Sequence, residues 1–406
     1  MKTIGPSVVV NLTKKQMPDF YNTEIAFRQM DDQELKRNLR IFGLMRFPLL
    51  IIAGKPLIRI ANVLHFPLKP FLGNIYRIFT AGRTLEEAVP VMEKLKAAGI
   101  MSVPDYSAES GGGDAARDAV AEEIKRTIIL ASQKREMIPF AVFKPSGISN
   151  PELLSKKSAG KTLNDEENME WKALYARWEN IFSLAADKKV SVMVDSEESW
   201  TQQAVDDLIF EFMLRFNKDM PVVINTLQMY RHDRLEFLDK TIAFARDNNL
   251  FAGIKFVRGA YHEKENRYAN ARKIIPAVYQ SKTKTDAAYN QALSIALKNI
   301  DLLTIVCATH NEESVRVLTR EMKSANIAVN DRRIWFSQLH GMSNHISFAL
   351  AAGNYNVAKY LPYAPIRVIM PYLIRRAEEN TAVMGQTLRE FELLKKESER
   401  RKSLKI

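Results

Sequence analysis

VSVMVDSEE (Val190–Glu198), PVVINTLQMY (Pro221–Tyr230) and FAGIKFVRGAY (Phe251–Tyr261) follow one another in this chain, separated by TQQAVDDLIFEFMLRF (Thr201–Phe216) and RLEFLDKTIAFARDNN (Arg234–Asn249). The first three are short and β-rich, whereas the two separators carry apolar residues at helical spacing. The same rhythm extends outward in both directions. Upstream lie IMSVPDYS (Ile100–Ser107) and IPFAVFKPSG (Ile138–Gly147); downstream lie LLTIVCATHN (Leu302–Asn311), IWFSQLHG (Ile334–Gly341) and NVAKYLPYAP (Asn356–Pro365). Eight strands alternating with helices make a parallel sheet, because parallel neighbours need a crossover between them. The count of eight favours closure into an α/β fold of the (β/α)8 TIM-barrel type over residues 86–385. A doubly wound sheet is the alternative, weakened because no GxGxxG turn follows the first strand. The glycines Gly111–Gly113 read as a flexible loop after that strand, since they lack the Lys-Ser/Thr of a phosphate-binding loop.

Composition bounds the rest. The chain has 406 residues, 46% hydrophobic and 26% charged, enough to bury a large core and unlike a disordered segment. Its one cysteine, Cys307, sits in an apolar run and reads as core; it excludes an internal disulfide framework. The opening MKTIGPSVVVNLTKK lacks the apolar core of a secretory signal, and Asp19, Glu24, Asp31, Asp32 and Glu34 argue against a transit peptide. The net charge of +12 concentrates in a helical N-terminal extension, residues 1–85. From Leu35 to Leu85 there are nine basic residues and no acid, threaded through FPLLIIAG and IANVLHFPL. Neither cluster approaches the roughly 20 apolar residues of a spanning helix. Such a segment suits either an anionic lipid surface or ordinary packing helices with a positive exterior. Nucleic acid is disfavoured, because no helix-turn-helix, zinc or aromatic-basic motif accompanies the charge. The basic tail, residues 386–406, reads as a frayed and solvated end.

In a barrel of this type, chemistry sits on the loops beyond the C-terminal ends of the strands. Polar residues cluster at those ends: Lys144, Asp195, Gln228, Arg258, then Thr309, His310 and Asn311, then Gln338. Singly, each could be a loop or capping residue; jointly they indicate a site. Near the C-terminus, PYLIRRAEEN (Pro371–Asn380) places Tyr372, Arg375, Arg376 and Glu379 on one helical face. Paired guanidiniums form a fork for a planar carboxylate, and Tyr360 and Tyr363 can wall a pocket beside it. A solvated surface helix is the plainer reading of an RR pair taken alone. Together with Lys144 the arginines predict a strongly cationic site for a small acid. No spacing suggests a metal, and no nucleophile elbow is present. An organic cofactor is the remaining way to carry a reaction there.

These residues resemble the proline dehydrogenase family, from about Gly82 to Thr381. The resemblance rests on an ordered series: VDSEES (Val194–Ser199), NTLQMY (Asn225–Tyr230), KFVRGAY (Lys255–Tyr261), ATHNEES (Ala308–Ser314), QLHGMS (Gln338–Ser343), KYLPYAP (Lys359–Pro365) and PYLIRRAEEN. It implies a monofunctional, FAD-dependent enzyme that oxidises L-proline to 1-pyrroline-5-carboxylate and passes electrons to a membrane quinone. Carried over by position, Lys144, Arg375 and Arg376 would bind the proline carboxylate. Tyr360, Tyr372 and Leu339 would close over the ring, with Ala260 and Tyr261 nearby, and Glu379 would orient the arginines. Asp195 and Lys255 would be the catalytic pair, Asp195 linking the carboxylate site to the flavin. FAD would be held by Gln228, Val257, Arg258, Gly259, Ala260, Thr309, His310 and Gln338, with Ser196, His262, Gln280, Lys282 and Asn311 as further contacts.

Two departures stand out. Lys255 occupies a position where many bacterial members carry Arg, and Ala364 replaces a usual Gly in the turn after KYLPY. The amine should react in its neutral form, so rate should rise with pH. Hydroxyproline oxidation is the rival activity; there a small residue matches Tyr360, so Tyr360 favours proline. A non-catalytic barrel that docks on membranes or partners is the rival of another class. The expected location is the cytoplasm, peripherally attached to the inner face of the cytoplasmic membrane.

Overall fold

Strands Met101–Tyr106 (β1), Phe140–Phe143 (β2), Ser191–Val194 (β3), Val223–Gln228 (β4), Ala252–Val257 (β5), Leu303–Ala308 (β6), Ile334–Leu339 (β7) and Val357–Tyr363 (β8) form one parallel sheet. The computed structural model describes residues 17–45, 69–107, 112–366, 368–370, 372–373 and 384–404. Each of the eight β-rich runs contains one strand. The ladder passes from β2 through β3, β4, β5, β6, β7 and β8 to β1. The seam between β1 and β2 is bridged where the Ser102 N–H donates to the Met137 carbonyl at 2.9 Å. A TIM-type (β/α)8 barrel results, nearly closed.

Alternation along the strands decides what fills the barrel. Val103, Phe140, Val142, Met193, Ile224, Val306, Trp335, Ala358 and Tyr360 form one buried cluster drawn from seven of the strands. Gly253 of β5 is required here: a Cβ at that position would stand 2.4 Å from the Ile224 side chain. Two residues further along β5, on the same face, the apolar filling gives way to Lys255. The outer faces pack against the helices in a larger cluster containing Trp178, Phe182, Phe212 and Tyr289. Fully burying side chains of this size contributes roughly 1.5–3 kcal/mol each.

The helical layer over the remaining side departs from two expectations. Helices Thr23–Phe27, Asp32–Met45 and Lys69–Phe79 belong to the extension, and residues 46–68 of the basic segment lie outside the described residues. Leu35, Ile41, Phe42, Tyr76, Ile78 and Phe79 are buried with Met342, Ile369, Leu393 and Leu394. For these residues the packing alternative holds: their apolar side chains meet protein. The tail is also not a frayed end. Met384–Ser403 is a helix whose Leu393 and Leu394 are buried and whose Arg401 donates to the carbonyls of Phe27 and Met30, each at 2.9 Å. Basic residues there serve a purpose that composition does not reveal, since Arg400 and Arg401 both grip the buried Glu397. No described helix is long and apolar enough to cross a membrane.

Candidate active site

Five side chains from five strands meet at the C-terminal mouth. Lys144, just beyond β2, donates to Asp105 Oδ2 of β1 at 2.9 Å and to the Tyr360 hydroxyl of β8 at 3.1 Å. Tyr360 in turn donates to Asp195 Oδ2 at 2.7 Å, and Lys255 of β5 reaches Asp195 Oδ1 at 2.5 Å. The two lysines lie over the Tyr360 ring, Lys255 at 4.7 Å and Lys144 at 5.5 Å from its centroid. Inward-pointing residues recur every second position, which is why chemistry appears at Asp105 two places beyond Val103, and at Lys144 two beyond Val142.

Two lysines and two aspartates alternate around one phenol, so the described part of the mouth is charge-balanced rather than strongly cationic. Burial by itself would raise the Asp195 carboxyl; Lys255 and Lys144 reverse that and hold it below the ordinary carboxylate value. Tyr360 is driven the other way, by burial first and then by the Asp105 and Asp195 charges, well above its usual value. The phenol therefore stays protonated and acts as a donor to Asp195.

A second arrangement borders the first along β4–β7. Arg258, beyond β5, donates to Asp286 at 2.7 Å, Thr309 Oγ1 at 2.6 Å and Ser314 Oγ at 2.9 Å, and lies 4.4 Å above the Tyr289 ring. Gln338 donates to the Thr309 carbonyl at 3.1 Å and accepts from Ser347 at 2.8 Å. Gln228 pairs with Val257 across the ladder and donates to the Glu197 carbonyl at 3.0 Å. Gly259 has φ +126°, and a Cβ there would stand 2.4 Å from the Tyr230 ring, so the loop after β5 passes where only glycine fits. His310 shares a hydrogen bond with Ser343 at 2.9 Å.

The sequence expectations divide three ways. Lys144, Asp195, Lys255 and Tyr360 are brought into contact, and Leu339 pairs with Tyr360 in the β7–β8 register. Tyr372 is buried in the cluster against which Leu339 packs. Gln228, Val257, Arg258, Gly259, Thr309, His310 and Gln338 form the adjoining shelf, with Ser196 donating to the Thr226 carbonyl. Asn311 is used as a helix cap, accepting from the Ser314 N–H at 3.1 Å. Ala260 and Tyr261 continue the β5 loop; His262, Gln280 and Lys282 stand on its exposed outer rim, Lys282 joined to Arg258 through Asp286. Arg375, Arg376 and Glu379 lie outside the described residues. Cys307 is core as expected, its thiol pushed up to about 12 by burial.

Asp105, Glu197 and Lys359 were not singled out from the sequence. Asp105 closes the run IMSVPDYS in the same way that Lys144 closes its own, which is the signal that would have found it. Glu197 sits inside VDSEES; it accepts from the Ser146 N–H at 2.7 Å and Ser146 Oγ at 2.6 Å, tying the β2 and β3 loops together beside Lys144. Ala364 keeps its turn: its carbonyl accepts from the Tyr76 hydroxyl at 3.0 Å and its N–H meets the Gly82 carbonyl at 3.2 Å.

Comparison with known proteins agrees with this geometry. The family model described as proline dehydrogenase matches residues 88–389. The chain belongs to the proline dehydrogenase family. It is 35% identical over 324 residues to the carbapenem antibiotics biosynthesis protein CarD of Pectobacterium carotovorum, covering 80% of this chain and 84% of that one. Proline dehydrogenase 1 of Dictyostelium discoideum is 29% identical over 384 residues, covering 82% of this chain and 66% of that relative. Hydroxyproline dehydrogenase of Xenopus laevis is 27% identical over 421 residues, covering 93% and 89%. Among solved structures, proline utilization A from Bdellovibrio bacteriovorus, inactivated by N-propargylglycine, superimposes with a TM-score of 0.70 at 21% identity. That superposition covers 89% of this chain but 36% of the larger protein, and it establishes the shared barrel fold.

Proposed function

We propose that this chain oxidises L-proline to 1-pyrroline-5-carboxylate, with FAD as cofactor and a membrane quinone as the final acceptor. The observation that carries the reading is the buried Asp105–Lys144–Asp195–Lys255–Tyr360 cluster beside the Arg258–Thr309–Gln338 shelf, in a chain of this family. The described residues fit a large polar cofactor. Gln228 Oε1 and Thr226 Oγ1 are buried without a hydrogen-bond partner among the described residues, and Gly259 lets the loop after β5 pass against the Tyr230 ring. Gln228, Arg258, Gly259, Thr309, His310 and Gln338 would hold FAD, which when bound supplies the two-electron acceptor that the side chains lack. Val257, Ala260 and Ser196 would border it, with His262, Gln280, Lys282 and Asn311 at the periphery.

The protein's own task is orientation. Proline oxidation removes a hydride from the ring carbon beside nitrogen and a proton from that nitrogen, so the amine must be neutral and the substrate anionic through its carboxylate. Beside a charge-balanced cluster a further carboxylate needs added positive charge. Arg375 and Arg376 supply the surplus, with Lys144 completing the clamp and Glu379 steadying the arginine face. Tyr360, fixed at its hydroxyl by Asp195 and across its ring by two lysines, forms one wall of the ring pocket; Leu339 and Tyr372 form the other, with Ala260 and Tyr261 at the entrance. Asp195 is held ionised and Tyr360 protonated through neutral pH, so the pH dependence should follow the substrate amine and rise with pH. Full-length protein supplied with FAD and a soluble electron acceptor should convert L-proline to a trappable cyclic imine. A protein that takes up no FAD would support the rival reading of a docking scaffold without catalysis.

Hydroxyproline is the competing substrate, favoured by the extensive match to the Xenopus enzyme. The buried Tyr360 ring argues for proline, because it occupies the space a ring hydroxyl needs. Replacing it by Ser should raise the specificity-constant ratio of hydroxyproline to proline by roughly tenfold or more, while lowering activity on proline itself. An unchanged ratio would remove Tyr360 from the pocket wall. A quinone acceptor implies peripheral attachment to the cytoplasmic membrane, which suits an enzyme with anionic lipid as a partner and no nucleic acid.

A further inference from the structure

The loop after β5 carries an apolar tip that no part of the reading above uses. Residues Ala271–Ile275 are all exposed, Ile274 at 53% and Ile275 at 85%, the latter the most exposed large apolar side chain among the described residues. Solvent-facing isoleucines side by side are unusual on a loop, and here they are held rather than loose. Lys273 ends the helix His262–Arg272 in the left-handed conformation at φ 54°, and Pro276 stiffens the far side. Behind the tip the loop is anchored to the turn after β4: Tyr279 N–H donates to the Tyr230 carbonyl at 2.7 Å and His232 N–H to the Ala277 carbonyl at 3.1 Å. Val278 between them is fully buried.

Charge around the tip is predominantly basic. Between His262 and Lys284 the chain carries Lys264, Arg267, Arg272, Lys273, Lys282 and Lys284 against two acids, Glu263 and Glu265. Glu265 is buried and consumed by Ser199, whose N–H it meets at 2.7 Å. A protein partner needs about 1,200 Å² of buried surface, which two isoleucines on a projecting turn do not offer. An apolar tip ringed by cations is matched by a bilayer whose surface is anionic and whose interior is apolar.

We infer that Ile274 and Ile275 insert into an anionic lipid surface, with Arg267, Lys273 and Lys284 against the headgroups, and that this loop docks the barrel mouth on the membrane. The inference rests on the proposed membrane acceptor and gives that acceptor a route: the loop lies at the same end of the barrel as Arg258 and Lys255. It assigns lipid contact to the mouth instead of to the buried apolar residues of the N-terminal extension.

Co-sedimentation of the full chain with vesicles of phosphatidylcholine, alone or with phosphatidylglycerol, tests it. The wild type should bind only the anionic vesicles and release as salt rises. The double variant Ile274→Ser, Ile275→Ser should bind about tenfold more weakly while oxidising proline with a soluble acceptor at the wild-type rate. In the single variant Ile275→Trp, brominated lipid in the anionic vesicles should quench the fluorescence of the introduced indole. Wild-type failure to sediment, a double variant that binds like wild type, or indole fluorescence that brominated lipid leaves unchanged would each overturn the docking tip. Absence of proline oxidation in a protein that passes these tests would instead count against the reading of the site.

Discussion

The mouth of the barrel and the seam under the C-terminal helix are built from the same ingredients for different ends. At the mouth, Asp105, Lys144 and Asp195 from strand ends and Lys255 and Tyr360 from within β5 and β8 converge on one central point. At the seam, Glu312 meets His345 at 3.1 Å, Arg316 at 3.0 Å and Arg389 at 3.0 Å, while Glu390 accepts from the Ser343 N–H. Lys359, outward on β8 and fully buried, donates to the Leu339 and Met342 carbonyls; burial lowers its amine to about 7 despite the Glu390 charge. At the mouth Lys144 is shared between Asp105 and Asp195, and Asp195 between Lys144 and Lys255. The seam is arranged so that a distant helix is pinned to the loops after β6 and β7. Burying charge costs several kcal/mol per ion before pairing returns it. In one place that cost buys a preorganised site, and in the other a fixed position for the helix that follows PYLIRRAEEN.

The comparison is broken most forcefully at Asp195. Asp195→Ala leaves Lys255 and Lys144 buried around a missing partner, a change that should destabilise the fold by about 3–5 kcal/mol and abolish proline oxidation. Urea unfolding of the FAD-loaded protein measures the first effect; a loss under about 1 kcal/mol would mean the lysines find other partners. Next in size is the clamp. Arg375→Met or Arg376→Met should weaken proline binding by roughly 1.5–3 kcal/mol, the scale of a charge-assisted hydrogen bond, with FAD content unchanged. Michaelis constants that stay at the wild-type value would remove the arginines from the carboxylate site.

How far each region was legible follows from how it is built. The eight strands and the mouth residues Lys144 and Asp195 were readable because local alternation and strand ends announce them, whereas Lys255, inside β5, came only with the family resemblance. Asp105 obeys the same rule, ending its run as Lys144 ends its own. The seam obeys no such rule. Glu312 and Arg389 are 77 residues apart, and only tertiary packing shows that a basic tail is a docked helix. Arg375 and Arg376, on which the cationic reading of the mouth rests, lie outside the described residues; among the described ones Lys144 and Lys255 each have a carboxylate beside them.

The smallest effect sharpens the contrast through acid. Burial would raise the Glu312 carboxyl, but His345 and then Arg389 hold it at about 2, against an ordinary 4.5. A depressed folded value stabilises above the unfolded value and loses that contribution as pH falls towards 2, an effect on the order of 2–3 kcal/mol at most. Glu312→Gln should therefore flatten the fall in thermal stability between pH 5 and 2 while leaving proline oxidation near neutral pH intact. An acid limb identical to wild type would show that the seam does not depend on that charge.

The central claim, that the mouth orients proline against a bound flavin, is tested most directly by one anaerobic spectrum. The purified chain loaded with FAD should show a visible flavin band that L-proline bleaches, faster at higher pH, and that the Asp195→Ala protein retains under the same treatment. A band that L-proline leaves unchanged in the wild type would contradict it.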